Sequence, residues 1–291
     1  MRYHGMVIRP PSEAESYILQ VTYGCSHNGC AFCGTYTHQR FQVRPYGEVL
    51  EDIALAQAEI PDTRRVFLAD GNALVLSADH LTAILDALAD AFPLLRRVSI
   101  YANARDILNK ADSELAAFRQ RRLEIVYLGL ESGSDEVLRR VGKGATAAEM
   151  IQAVHRLRRA GIRASVIALL GLGGKELSAD HALQTGRTVA AMDPEYFSVL
   201  TLMLVPGTEL DRQWQAGSFE LPEPLELLAE LRQVIAQLNG LSRCVFRTNH
   251  ASNYLPLAGT LSRDKARLLA TIDEALARGR SALRPESWRG L

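Results

Sequence analysis

No apolar run in the 291-residue sequence approaches the roughly 20 residues that a membrane-spanning helix requires. The first residues carry no basic stretch followed by an apolar one, so the sequence gives no sign of a secretion signal. An excess of charge is also absent, because 33 basic and 33 acidic residues cancel. Affinity for nucleic acid comes largely from neutralising phosphates, so this balance argues against a nucleic-acid partner. Together these absences predict a cytoplasmic protein that does not bind membranes.

Cysteine is scarce, yet three of the four cysteines fall within one short stretch, CSHNGCAFC. They are Cys25, Cys30 and Cys33, whereas Cys244 stands far away in the sequence. Thiols stay reduced in the cytosol, so clustered cysteines indicate metal binding or catalysis rather than disulfides. Three thiolates from one loop can hold three irons of a [4Fe-4S] cluster and leave the fourth iron open.

Two other interpretations of these thiols stay open at this point. A structural zinc site needs a fourth ligand, which His27, His38 or Cys244 could supply. The thiols could also be unrelated to one another. For Cys244 the simplest interpretation is a small, buried, apolar side chain.

Short apolar runs rich in β-branched residues alternate with longer amphipathic segments. Six of these runs predict strands, at 16–23, 65–70, 97–103, 124–130, 163–172 and 196–204. Strands that alternate with helices predict parallel βαβ units, and strands apolar along their length are buried on both faces. A doubly wound sheet and a partial barrel both fit. We favour an α/β fold, a partial (β/α)6 TIM-like barrel.

Helix boundaries carry their own signals. Ser77 is suited to cap a helix, and Thr146 with Glu149 has the spacing of a capping box. Gly161 predicts a helix end before the next strand.

The alternation ends near residue 210. Residues 224–241 and 262–279 predict helices, and the polar stretch 242–259 between them predicts irregular structure. The sequence therefore predicts a core over 1–210 and a C-terminal helical and loop cap over 211–291, in the same domain.

Chemistry in folds of this kind lies at the C-terminal ends of the strands, where the cysteines also fall. Four further segments at strand ends are LADGNAL, YANARDIL, GLESGSDEVLRRVGKG and VIALLGLGG. In this order they resemble the radical S-adenosylmethionine (radical SAM) superfamily, over roughly residues 16–210. The branch they resemble contains methylthiotransferases and oxygen-independent coproporphyrinogen oxidases, without those proteins' accessory domains. The usual C-x3-C-x-aromatic-C signature is matched with Phe32 as the aromatic and one extra residue before Cys30.

The resemblance implies a [4Fe-4S] cluster on the three cysteines and SAM on its open iron. It implies roles in SAM binding for residues of the cysteine loop, of the strand ends and of the short helix after the fourth strand, namely Phe32, Asp70, Gly71, Asn72, Asn103, Glu131, Lys143 and Gly171. Lys143 stands where arginine is commoner in the family. Residues 70–72 match the family's Gly-Gly-Glu-like turn by their position in the chain and not by residue identity. The implied reaction is reductive cleavage of SAM to a 5′-deoxyadenosyl radical that abstracts hydrogen. Flavodoxin or ferredoxin is the implied reductant.

Substrate contacts are expected in two segments. Tyr36 and His38 follow the cysteine loop. The predicted loop 246–257 crowds polar groups together, with Arg247, Asn249, His250, Asn253 and Tyr254 as candidates. The alternative for this loop is a structural plug of satisfied polar groups.

A small molecule or cofactor precursor is the expected substrate. The chain lacks the cysteines for a second cysteine-ligated cluster, which disfavours a methylthiotransferase reaction. An RNA-modifying radical SAM enzyme and a non-catalytic zinc or Fe–S binding protein are the alternatives.

Overall fold

The computed structural model describes residues 2–290, which form two compact units. Unit 1 contains the residues up to 28, then 35–128 and 155–164. Unit 2 contains 29–34, 129–154 and the residues from 165 onward. The predicted boundary near residue 210 stays a prediction.

The elements follow one another as the alternating pattern predicts. The strands are β1 Tyr17–Gln20, β2 Thr22–Tyr23, β3 Gln42–Val43, β4 Arg65–Ala69, β5 Arg97–Ala102, β6 Leu123–Glu131, β7 Arg163–Leu170, β8 Tyr196–Thr201, β9 Val245–Arg247 and β10 Ala258–Thr260. The α-helices are α1 Tyr46–Glu59, α2 Ala78–Ala91, α3 Ala104–Leu108, α4 Asp112–Gln120, α5 Asp135–Arg140, α6 Ala147–Arg159, α7 Gly174–Met192, α8 Glu209–Gln215, α9 Pro224–Gln237 and α10 Leu261–Arg278. Short 3-10 helices span Pro11–Glu13, Ala73–Val75, Gly279–Ala282 and Glu286–Trp288. All six predicted strands and both predicted C-terminal helices are confirmed.

In unit 1 the strands β1, β4, β5 and β6 are neighbours in that order, and all are parallel. Leu19 pairs with Leu68, and Leu68 pairs with Ile100. These side chains are buried, as expected for parallel strands covered on both faces. The strands β2 and β3 form a separate antiparallel pair.

In unit 2 the strands β7, β8 and β9 run parallel, and β10 pairs antiparallel with β9. The prediction of irregular structure over 242–259 is wrong in part, because β9 and β10 lie within it. Each has three residues, too few for alternation of apolar and polar side chains to be visible in the sequence. Tertiary packing stabilises β9, since the ring centre of Phe246 lies 5.8 Å from the ring centre of Phe197 on β8.

The predicted helix boundaries are confirmed by their hydrogen bonds. Ser77 Oγ accepts a bond from the His80 amide over 3.3 Å. The Thr146 amide donates to Glu149 Oε2 over 2.7 Å, and the Glu149 amide donates to Thr146 Oγ1 over 3.2 Å. Gly161 has a φ of +75°, which ends α6 before β7.

Parallel strands alternating with helices in both units place the chain in the α/β class. The polar segments singled out from the sequence therefore follow the C-terminal ends of β4, β5, β6 and β7. Within residues 2–290, no helix combines the length and the apolar character needed to cross a membrane.

Candidate SAM and iron–sulfur site

The turn after β4 supports the start of the cysteine loop. A Cβ atom on Gly71 would lie 2.8 Å from Cys25 Cβ and 2.8 Å from Tyr36 Cε2, so only glycine fits there. Next to it, Asn72 Oδ1 accepts a bond from the Ser26 amide over 2.9 Å, and Asn72 Nδ2 donates to Ser26 Oγ over 2.6 Å. The turn thus fixes the backbone on the C-terminal side of Cys25.

Asp70 uses its carboxylate on two neighbours in unit 1. Oδ1 accepts a bond from the Tyr36 hydroxyl over 2.5 Å, and Oδ2 accepts one from Gln20 Nε2 over 3.1 Å. Burial raises the pKa of Asp70, while these bonds lower it in part. Burial, followed by the charge of Asp70, also raises the pKa of Tyr36. Asp70 therefore holds Tyr36, and through it the segment that follows the cysteines.

A second carboxylate, Asp106, lies under the same turn and was not predicted from the sequence. Its Oδ2 accepts bonds from Asn72 Nδ2 over 2.9 Å and from the Asn103 amide over 3.2 Å. Burial raises its pKa. The spacing Asn103-x-x-Asp106 at a helix start was the available signal. Asp106 therefore links the ends of β4 and β5.

The part of the cysteine loop that belongs to unit 2 is held by its backbone. The Ala31 amide donates to the Val141 carbonyl over 2.9 Å, and the Leu210 amide donates to the Ala31 carbonyl over 2.9 Å. The Cys33 amide donates to the Cys30 carbonyl over 3.1 Å, which makes the Cys-x-x-Cys segment a tight turn. Phe32 is partly buried against a cluster formed by Val137, Val141, Leu172, Leu202 and Leu210.

Glu131 and Lys143, predicted separately, form an ion pair. Lys143 Nζ donates to Glu131 Oε1 over 2.9 Å, and the two side chains are 8% and 14% exposed. Glu131 has a φ of +63°, which turns the chain at the end of β6. A Cβ atom on Gly129 would collide with Glu131 Oε1 and lie 3.0 Å from Lys143 Nζ. The glycine therefore makes room for the pair.

Gly171, after β7, also has a left-handed backbone, with a φ of +82°. Its amide donates to Glu230 Oε1 over 2.6 Å. A Cβ atom on this residue would lie 2.9 Å from Leu227 Cδ2. Both its conformation and its surroundings thus require glycine.

The comparison with known families decides what these strand ends belong to. Residues 19–185, more than half of the chain, match the radical SAM superfamily. The chain belongs to the radical SAM superfamily. The members of this superfamily are mostly enzymes, and membership implies a [4Fe-4S] cluster and SAM.

This radical SAM chain is similar to the heme chaperone HemW of Bacillus subtilis (strain 168), with 22% identity over 218 residues. The match covers 72% of the chain and 56% of that relative, so the chain spans little more than half of the relative's length. Coproporphyrinogen III oxidase (HemN) from Escherichia coli superposes with a TM-score of 0.58 at 17% identity, covering 78% of this chain and 53% of that one. Methylornithine synthase (PylB) gives a TM-score of 0.53 at 15% identity, covering 92% and 85%. These structures confirm the partial TIM-like barrel.

The thiols fit the cluster that the radical SAM superfamily implies. Cys25, Cys30 and Cys33 are partly exposed and free of disulfides. Cys244 is fully buried, and burial raises the pKa of its thiol to about 12, in agreement with the interpretation of a small, buried, apolar side chain. Among residues 2–290, no three His, Cys, Asp or Glu side chains are already converged on one metal position. The fit therefore rests on the donor set and on the supported loop.

The predicted substrate residues near the C-terminus differ in their surroundings. Asn253 is buried, with Nδ2 donating to the Val199 carbonyl over 2.8 Å and Oδ1 accepting from Thr201 Oγ1 over 2.9 Å. The Tyr254 hydroxyl donates to Glu286 Oε2 over 2.6 Å, and the guanidinium of Arg289 lies 4.1 Å from its ring centre. These two residues anchor the loop, as the structural-plug alternative expects.

The remaining predicted contacts are more accessible. Arg247 and Asn249 are exposed. His250 is half-buried, its Nδ1 lies 2.9 Å from Ser252 Oγ, and burial lowers its pKa. His38 is exposed, in contrast to Tyr36, whose exposed fraction is 8%. Roles in substrate binding for these residues stay predictions.

Proposed function

We propose that this protein is an enzyme that cleaves SAM reductively and abstracts a hydrogen atom from a small molecule or cofactor precursor. Cys25, Cys30 and Cys33 would hold the [4Fe-4S] cluster, with SAM on the open iron. When bound and reduced, the cluster supplies the one electron that breaks the S–C5′ bond of SAM, giving methionine and the 5′-deoxyadenosyl radical that takes hydrogen from substrate. Flavodoxin or ferredoxin is the proposed electron source, and the cytoplasm the proposed location.

The observation that carries this proposal is the support given to the cysteine loop by the turn after β4. Gly71 lies directly against Cys25, and both polar groups of the Asn72 amide bind Ser26. Loops that carry catalytic groups depend on such supporting contacts for their geometry.

The same contacts refine the proposed roles in SAM binding. Because protein donors already occupy the carboxylate of Asp70 and the amide of Asn72, we assign the methionine ammonium of SAM to backbone carbonyls of this turn. Glu131 Oε1 accepts a hydrogen bond from Lys143. We propose that Oε2 accepts a hydrogen bond from a hydroxyl or ammonium group of SAM.

The test is formation of 5′-deoxyadenosine. Anaerobically reconstituted protein is reduced with dithionite, mixed with SAM, and analysed by liquid chromatography and mass spectrometry. We expect 5′-deoxyadenosine and methionine in equal amounts, their loss in Cys25→Ala, and their retention in Cys244→Ala. No cleavage by a wild-type protein that contains the full cluster and binds SAM would contradict the proposal.

A second candidate is heme binding without SAM cleavage, favoured by the similarity to a protein named as a heme chaperone. Titration with hemin, followed by the Soret absorption, separates the two candidates. Stoichiometric hemin binding together with no 5′-deoxyadenosine would select the chaperone function. SAM cleavage without hemin binding would select the enzyme.

A further inference from the structure

A buried polar network in unit 2 joins the two strand ends that carry Glu131 and Gly171. His181 on α7 and Glu230 on α9 are 1% and 3% exposed. His181 Nδ1 lies 2.8 Å from Ser132 Oγ, beside Glu131, and its Nε2 lies 3.5 Å from Glu230 Oε1. Glu230 Oε1 in turn accepts the Gly171 amide.

The imidazole ring of His181 has partners on both neighbouring strand ends. Its Nδ1 lies 2.8 Å from Ser132 Oγ, which also accepts a bond from the Ser134 amide over 3.0 Å. The ring also bonds the backbone of Leu169, near the end of β7. Burial lowers the pKa of His181 to about 4, so the ring is neutral at physiological pH.

Glu230 is the unusual member of the network. It lies on the buried face of α9, among Leu227, Leu231 and Val234. Its Oε2 accepts a bond from Ser178 Oγ over 2.5 Å, and burial raises its pKa to about 7. Burying a carboxyl group without a cationic partner costs stability, and an apolar residue would pack there at lower cost. A requirement for its bond to Gly171 explains why an acid occupies this position.

We infer that Glu230 and His181 are positioning residues, which hold Gly171 and the Glu131–Ser132 segment in the geometry that SAM contacts. The inference rests on the proposed function, because it takes these strand ends to bind SAM. The ionised carboxylate accepts the Gly171 amide more strongly than the protonated acid does. Affinity for SAM therefore falls as pH is lowered and Glu230 gains its proton.

The groups around Glu230 leave it as the member that titrates near neutral pH. From α7 it faces Ser178 and the neutral His181. The charged groups between α9 and α10 do not pair with Glu230. Arg232 of α9 forms an ion pair with Asp273 of α10, and Lys265 Nζ of α10 donates to Asn239 Oδ1. On α7, Lys175 pairs with Glu220 at the surface.

The test compares SAM affinity of reconstituted wild type and Glu230→Gln by calorimetry, at about pH 6 and about pH 8. Glutamine can accept the Gly171 amide and donate to Ser178, so it imitates the protonated acid without a cavity. We expect wild type to bind SAM about five-fold more tightly than the variant near pH 8, and equally well near pH 6. The ratio of the two affinities cancels the titration of SAM itself and of the other histidines. Glu274→Gln, an exposed change on α10, is the matched control.

A second measurement does not need SAM. Hydrogen exchange of residues 169–174 should be faster in Glu230→Gln than in wild type near pH 8, with little change in α10. A pH-independent affinity ratio, or unchanged exchange in this segment, would overturn the inference. If wild type binds no SAM at any pH, the proposed function fails, and the exchange result alone decides whether Glu230 positions the strand end.

Discussion

Lys143 Nζ donates a hydrogen bond to Glu131 Oε1 over 2.9 Å, in surroundings that leave both side chains mostly buried. The two residues are separated in sequence by α5, and the collision that a side chain on Gly129 would cause shows how closely the local backbone is fitted to the pair. A buried ion pair contributes little net stability unless other interactions offset its desolvation. The pair fits the role in SAM binding that we propose for Glu131.

Glu131→Gln is expected to weaken SAM binding by about ten-fold, because a charged acceptor becomes a neutral one. Calorimetry on anaerobically reconstituted protein measures the change. Glu136→Gln is the control, since Glu136 lies nearby but bonds Arg139 and Arg140 at the surface. Equal SAM affinity in wild type and Glu131→Gln would remove Glu131 from the site.

Gly71→Ala is expected to abolish most of the bound iron, because the new methyl group would lie 2.8 Å from Cys25 Cβ. Overpacking of this kind costs on the order of 1–3 kcal/mol, and here it displaces a proposed ligand. Iron and acid-labile sulfide per chain give the measurement. Gly47→Ala, in α1, is the matched control, since nothing lies within 4 Å of its added Cβ. Full iron content in Gly71→Ala would mean that the turn does not support the loop.

Cys33→Ala is expected to reduce bound iron to a small fraction of the wild-type content, because a [4Fe-4S] cluster loses one of its three protein ligands. Cys244→Ala should keep the cluster and lose about 1 kcal/mol of stability from a small cavity. Metal analysis after anaerobic reconstitution compares the two variants. Zinc retained by wild type, and lost in Cys244→Ala, would support the zinc interpretation instead.

Stability is expected to fall as pH rises through neutrality, because of Glu230. Burial raises its pKa from an ordinary value near 4.5 to about 7, so the folded state binds this proton more tightly than the unfolded state does. The contribution is fully present below about pH 4.5 and is lost as pH rises through about pH 7, amounting to about 3 kcal/mol.

Urea unfolding across this pH range measures the effect. Glu230→Gln should flatten the dependence, and Glu274→Gln should leave it unchanged. The opposite slopes expected for stability and for SAM affinity separate the structural effect of Glu230 from its positioning effect. Parallel pH profiles in wild type and Glu230→Gln would show that the buried carboxyl group does not titrate in this range.

The fold was largely predictable because each of the six predicted strands is a mostly apolar run between segments with helical spacing. The strands β9 and β10 were missed, since three residues carry no readable period and their pairing depends on β8. The packing of Phe246 against Phe197 stabilises β9, and this contact cannot be read from the local sequence.

The site was predictable where a local pattern marks it, as for the cysteines or for Glu131 and Lys143. Asp106 and Gln20 were missed because their importance comes from partners 34 and 50 residues away. Glu230 had a visible signal, an acid on the buried face of an otherwise apolar helix stripe. Its hydrogen-bond partner Gly171 is distant in sequence, so the bond between them is visible only in the folded structure.

The central claim is that Cys25, Cys30 and Cys33 hold a [4Fe-4S] cluster with an open iron for SAM. Electron paramagnetic resonance of anaerobically reconstituted, reduced protein tests it most directly, with and without SAM. A [4Fe-4S]⁺ signal that changes when SAM is added is the predicted result. A cluster signal indifferent to SAM, or tightly bound zinc with no cluster, would contradict the claim.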